Sequence, residues 1–118
     1  MLVTRGVESD LGKLDLPGGF VDHHETIENA LKRELVEELG LKVKSMQYAG
    51  SAPNEYVFSE FTVFTVDMAF EVEAETLENL HPHDDISDFR FYSEGEFSYD
   101  DIPASSMKLF VKQFFSKK

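Results

Sequence analysis

Glu34, Glu37 and Glu38 stand at i, i+3 and i+4, a spacing that puts three carboxylates within one turn of a helix. Such a cluster can form a solvated acidic face, or it can bind a hard divalent cation through its oxygens. The surrounding residues bear on the choice. Stepping about 100° per residue, Ile27, Ala30, Leu31, Leu35 and Leu39 define an apolar arc, and Glu28, Asn29, Lys32 and Arg33 lie mainly outside it. Glu34 and Glu38 project into the middle of that arc, beside Ile27 and Leu31, with Glu37 at its edge. Like charges drawn toward a core repel and lose hydration, at a cost of roughly several kcal/mol unless a cation neutralises them. The wheel therefore favours the cation site over the solvated face.

The elements that must hold these acids can be read outward from them. Thr26 suits the N-cap of a helix ending at Leu39, and Gly40 its C-terminal cap. Ahead of it, Leu14-Asp15-Leu16 is a short strand stopped by Pro17-Gly18-Gly19, a strong turn signal. Met1 to Val3 reads as the tail of another strand. Val43 to Gly50 is a strand with imperfect alternation. From Phe61 to Val72, Phe64, Val66, Met68, Phe70 and Val72 share one face at period two. Glu73 to Asp85 reads as an acidic loop holding His81 and His83, and Ile86 to Tyr92 as a strand with Phe89 and Phe91 on one face. Met107, Phe110, Val111 and Phe114 have the spacing of an amphipathic helix, with Lys108, Lys112, Lys117 and Lys118 suiting its C-terminal half. The order β-turn-β-α-β-β-β-α describes one layered α/β (α+β) domain over residues 1–118, without internal repeats.

Composition narrows the partners. With 23 acidic against 11 basic residues, the net charge is −12, so nucleic-acid backbones and anionic membranes are not attracted. An anionic substrate needs positive charge supplied locally, and a divalent cation is the obvious source. The chain has no cysteine, which excludes disulfides and thiolate zinc sites. There is no signal-peptide core at the N-terminus and no apolar run of membrane-spanning length. The expected location is the cytoplasm.

Gly19, five residues to Glu25, then seven to Arg33-Glu34-Leu35-Val36-Glu37-Glu38-Leu39-Gly40-Leu41 resembles the Nudix box, G-x5-E-x7-R-E-U-x-E-E-x-G-U with U a bulky aliphatic, at every defined position. Nine restricted positions at fixed spacing make a specific match. The box spans Gly19 to Leu41, about a fifth of the chain, and Leu16-Pro17-Gly18-Gly19-Phe20-Val21 is similar to the usual lead-in. The resemblance implies an α/β/α sandwich with a mixed sheet. It implies Mg²⁺, with Mn²⁺ as the alternative ion, bound by Glu34, Glu37 and Glu38 and by a main-chain carbonyl at Gly18 or Gly19. It also implies a structural pair of Glu25 with Arg33, and hydrolysis of a diphosphate by metal-activated water.

Two further stretches carry weaker likenesses. Ser51-Ala52-Pro53-Asn54-Glu55-Tyr56-Val57-Phe58-Ser59 resembles a degenerate S-Q-P-W-P-F-P-x-S array of NADH pyrophosphatases, agreeing at the serines, the first proline and an aromatic. This implies that Ser51, Pro53, Asn54, Tyr56, Phe58 and Ser59 bind a nucleotide-type substrate such as NADH or ADP-ribose; the competing reading is an ordinary hairpin loop with an exposed Tyr. Asp84-Asp85-Ile86-Ser87-Asp88-Phe89-Arg90-Phe91-Tyr92 resembles E-[IL]-x-x-x-x-[WF]-[FY], which makes Asp85 the catalytic acid outside the box. Compared with the family, the chain is expected to lack the usual N-terminal strand or strands. The open sheet edge this would leave invites pairing with a second chain, so a homodimer is expected. From another class, the rival function is a catalytically silent Nudix module that binds a nucleotide and regulates a partner.

Overall fold

A four-residue strand at the start of the chain organises the molecule. The computed structural model describes residues 1–6, 10–58, 60–83 and 85–117, with the main chain alone at Phe58. Strand β1 (Leu2–Arg5) pairs antiparallel with β2 (Leu14–Asp15) on one edge and β5 (Ile86–Arg90) on the other. Side chains on a strand alternate in direction, and β1 uses this to serve two cores. Val3 packs with Leu35, Leu39, Leu41 and Ile86. Leu2 packs with Ile102 and Val111. Helix α1 (Ile27–Leu39) thus covers one face of the sheet and α2 (Ser105–Ser116) the other. This is the layered sandwich expected.

Both ends of α1 are set by local chemistry. The Thr26 hydroxyl accepts the Asn29 amide at 3.1 Å, satisfying one of the orphan donors of the first turn. Gly40 takes a left-handed φ of 69°, and the Leu41 amide returns to the Leu35 carbonyl at 3.2 Å, which closes the helix on a residue that carries no Cβ penalty. Within α1, Ala30, Leu35 and Leu39 are buried.

The second sheet differs from expectation. Strand β3 (Val43–Phe58) pairs antiparallel with β4 (Phe61–Ala74) as a long hairpin. The stretch 51–58, which carries serine, proline and asparagine, is therefore strand rather than loop. Turn-type residues misled here because β4, rich in β-branched and aromatic residues, supplies a ladder partner for each of them. Pro53 is accommodated opposite Val66 in this two-stranded sheet.

The five strands do not form one mixed sheet. Every described pairing is antiparallel, and among the described residues the two sheets are not paired with one another. A cavity of about 1610 Å³ opens between them, lined by Leu2, Leu31, Phe70, Ile86 and Phe110 among others. The period-two face of β4 is poorly covered, with Phe64 74% and Val66 67% exposed. Strand β5 ends at Arg90, so Phe91 lies beyond it and is exposed. A short 3-10 turn at Tyr99–Asp101, unassigned from sequence, leads into the fully buried Ile102.

Candidate active site

The box acids meet the turn that precedes them. The Gly18 amide donates to Glu38 Oε1 at 2.9 Å, from a backbone with φ of 146° that L side chains rarely adopt. At Gly19 the approach is closer still: a Cβ there would lie 2.5 Å from the Glu34 carboxyl carbon. Glycine at this position lets the main chain touch a carboxylate. Glu38 is only 8% exposed, and the Glu34 side chain is mostly covered, whereas Glu37 stands about half in solvent. The helical wheel and the structure agree on this ranking.

Arg33 ties the loop to the helix. Its Nε donates to Glu25 Oε2 at 2.7 Å and its Nη2 to Glu25 Oε1 at 3.0 Å, a two-point pairing. The same guanidinium donates to Glu34 at 2.9 Å, to Glu37 at 3.1 Å and to the Phe20 carbonyl at 3.1 Å. The Glu25 and Glu34 hydrogen bonds hold the guanidinium charged well beyond its ordinary range. The Arg33 hydrogen bond in turn lowers the Glu25 carboxyl.

Glu38 behaves in the opposite way. Burial pushes its carboxyl up to about 7; the Gly18 amide opposes the rise, and the charges of Glu34, Asp15 and Asp85 add to it. Asp85, exposed in the turn just before β5, is thus close enough to act on Glu38 electrostatically. Asp15 is an acid that sequence reading did not single out. It is raised chiefly by burial and accepts from the Leu16 amide at 2.8 Å and from Arg5 at 3.3 Å.

The donor chemistry suits a hard cation: carboxylate and main-chain oxygens without sulfur. The buried, charge-crowded Glu38 and the glycine backbone pressed on Glu34 suit it as well. As the side chains stand, however, no group of three His, Cys, Asp or Glu residues among the described residues is arranged to hold a metal ion. Arg33 takes oxygens of Glu34 and Glu37, and the Gly18 amide takes Glu38.

The strand geometry divides the proposed substrate residues. Asn54 and Tyr56 alternate onto the inner face of β3, where Asn54 is buried and Tyr56 half-buried. The Tyr56 ring meets Phe20 edge-on at 5.6 Å, and both line the cavity that Gly18, Gly19, Glu34 and Glu38 also line. Ser51 and Pro53 are exposed on the opposite face; a strand cannot direct all of 51–56 at one ligand, as a loop could. Ser59 and the Phe58 side chain lie outside the described residues. Phe20 and Asp67 at this wall were missed from sequence, Phe20 because it sat in the lead-in without a role of its own.

With that geometry in place, comparison with known proteins is decisive on family. The NUDIX domain model matches residues 1–114. This chain belongs to the NUDIX domain family. As a Nudix domain it is classed with hydrolases. The match takes in the whole box, the strands, α1 and all but the last two residues of α2. The fold agrees: the chain superposes on a Nudix hydrolase from Nitrosomonas europaea with a TM-score of 0.76 at 22% identity, covering 99% of this chain and 62% of that one. A Nudix family member from Chromobacterium violaceum gives 0.66 at 22%, covering 96% and 66%. Among curated relatives, the NAD-capped RNA hydrolase NudC of Klebsiella pneumoniae (strain 342) is 45% identical over 51 residues, 43% of this chain and 20% of the relative. That of Salmonella heidelberg (strain SL476) is 37% identical over 67 residues, 57% and 26%. The chain thus matches between a fifth and about a quarter of the length of these relatives.

Proposed function

We propose that this Nudix domain hydrolyses the diphosphate linkage of a nucleoside diphosphate derivative of the NADH or ADP-ribose type. The observation that carries the reading is Glu38, a carboxyl 8% exposed and pushed up to about 7 on the core side of α1, in a cleft whose other oxygens suit a divalent cation. Glu34, Glu37 and Glu38, with a carbonyl of Gly18 or Gly19, would hold Mg²⁺, or Mn²⁺ in its place. Bound there, the ion supplies a Lewis acid for the phosphoryl oxygens and lowers the pKa of a coordinated water. Asp85 sits at the rim as the acid outside the box. Arg33 and Glu25 keep the loop against the helix, and Asn54 and Tyr56 form the nucleoside side of the site.

The NudC relatives support this substrate class, because an NAD cap is itself a dinucleotide diphosphate. The net charge of −12 points to the small dinucleotide rather than a polyanion as the natural ligand. No described helix is long and apolar enough to cross a membrane.

One observation favours the second reading, a silent module that binds a nucleotide and regulates a partner: Arg33 engages both Glu34 and Glu37. Product release from a panel of NADH, ADP-ribose and nucleoside triphosphates, with Mg²⁺ and with excess chelator, separates the two. The enzyme reading expects Mg²⁺-dependent cleavage with higher kcat/KM for the dinucleotide-type diphosphates, since a triphosphate leaves the Tyr56 side of the site empty. Binding without cleavage of any member would establish the silent module.

A further inference from the structure

Asp67, near the middle of β4, gathers three hydroxyls. Ser106 Oγ donates to its Oδ2 at 2.6 Å, Tyr56 Oη donates to the same oxygen at 3.2 Å, and Thr65 Oγ1 donates to Oδ1 at 2.8 Å. These partners come from three elements. Ser106 is 1% exposed in the first turn of α2, a helix whose N-cap, Ala104, offers no side-chain cap and whose first turn holds no acid. Asp67 therefore brings to that helix end the negative charge its dipole favours. Beside it, Asn54 Oδ1 accepts from Ser105 at 3.2 Å, and its buried Nδ2 has no close hydrogen-bond partner among the described residues. It lies near the Tyr56 hydroxyl, whose pKa it lowers against the larger opposing effect of burial.

We propose that Asp67 is a positioning residue that orients Tyr56 for the substrate. The carboxylate is fixed by Ser106 and Thr65 before any ligand arrives, so its grip on the phenol sets where the Tyr56 ring stands. That ring packs edge-on against Phe20, and the Phe20 carbonyl is held by Arg33. The aromatic wall is thereby anchored at one end to α2 and at the other to the box. Ordering the ring on folding removes part of the side-chain entropy otherwise lost on binding. The expected signature is in substrate affinity rather than in the chemical step. The inference rests on the reading of Tyr56 as a substrate contact.

The test measures kcat and KM for ADP-ribose with saturating Mg²⁺ in Tyr56→Ala, Tyr56→Phe, Asp67→Asn and the Tyr56→Phe/Asp67→Asn double variant. Loss of one hydrogen bond to a charged acceptor corresponds to about a tenfold effect. Tyr56→Phe and Asp67→Asn should each raise KM by about that factor and leave kcat nearly unchanged. The double variant should be no worse than the weaker single, because one interaction is lost in all three. An Asp67→Asn effect confined to kcat, or a double variant whose losses multiply, would overturn the positioning role. If Asp67→Asn does not fold, Tyr56→Phe decides alone, since it leaves the Ser106 and Thr65 contacts in place; an unchanged KM overturns the proposal. A raised KM in Tyr56→Ala but not in Tyr56→Phe overturns only the role of Asp67. An unchanged KM in Tyr56→Ala overturns the substrate contact itself.

Discussion

Glu38 is held in two minds, with an amide favouring its charge and burial opposing it. Its carboxyl sits at about 7 in the fold, above the roughly 4.3 of a free glutamate. The folded chain therefore keeps a proton that the unfolded chain releases. Stability from this group is full below about pH 4.3 and is lost as pH rises through 7. The metal-free protein should melt at a higher temperature at pH 5 than at pH 8 on this account, and Glu38→Gln should flatten that slope. Thermal melts of both proteins across this range check it; parallel curves would contradict the burial argument. Arg33→Ala should lower the melting temperature, since it frees Glu25, Glu34 and Glu37 together, and an unchanged value would argue against a structural role for the pairing. Sequence sufficed for the box acids because their spacing has a helical period and their place in an apolar arc can be computed. Asp15 and Asp67 had no such signature. Each is an isolated acid on a strand whose neighbours in space, Glu38 and Ser106, are far away in the chain.

Contact between elements sets the precision of the site. The turn at Gly18 and Gly19 lies directly on α1, and Gly19→Ala would drive a Cβ into the end of the Glu34 side chain. That end is flexible enough to move aside, so the fold should survive with a melting temperature within about 4 °C of the parent, the effect of under about 1 kcal/mol. Mg²⁺-dependent turnover should fall by about tenfold or more, because supporting contacts around a metal site commonly carry that much. Activity equal to the parent would show that the close approach is incidental. Helix α1 was legible to the residue at both caps, since Thr26 and Gly40 act through local geometry. The long hairpin was not. Residues 51–58 pair because β4 lies opposite them, and their own composition, read alone, signals a turn. Once they are strand, alternation puts Asn54 and Tyr56 on the inner face and Ser51 and Pro53 on the opposite one.

At the scale of the whole molecule, the two sheets leave apolar surface uncovered along β4, with Phe64, Val66, Met68 and Val72 all exposed. If the homodimer expected from the sequence forms through this apolar patch, a second copy of the chain would cover it. Light scattering should give a dimer mass, and Phe64→Glu should return a monomer; a monomeric parent at high concentration would refute this. How the sheets relate could not be read from sequence, because periodicity gives the faces of each strand but not which non-consecutive strands pair. On the proposed reading Mg²⁺ should raise the melting temperature, since the folded acid cluster would bind it and the unfolded chain would not. The most direct test of the central claim is turnover of ADP-ribose by the parent and Glu38→Gln, side by side, with and without Mg²⁺. The parent should release AMP only with Mg²⁺, and Glu38→Gln should be slower by at least about a hundredfold while remaining folded, as the loss of a metal-site group implies. Cleavage by the parent in excess chelator, or near-parent turnover by Glu38→Gln, would contradict it.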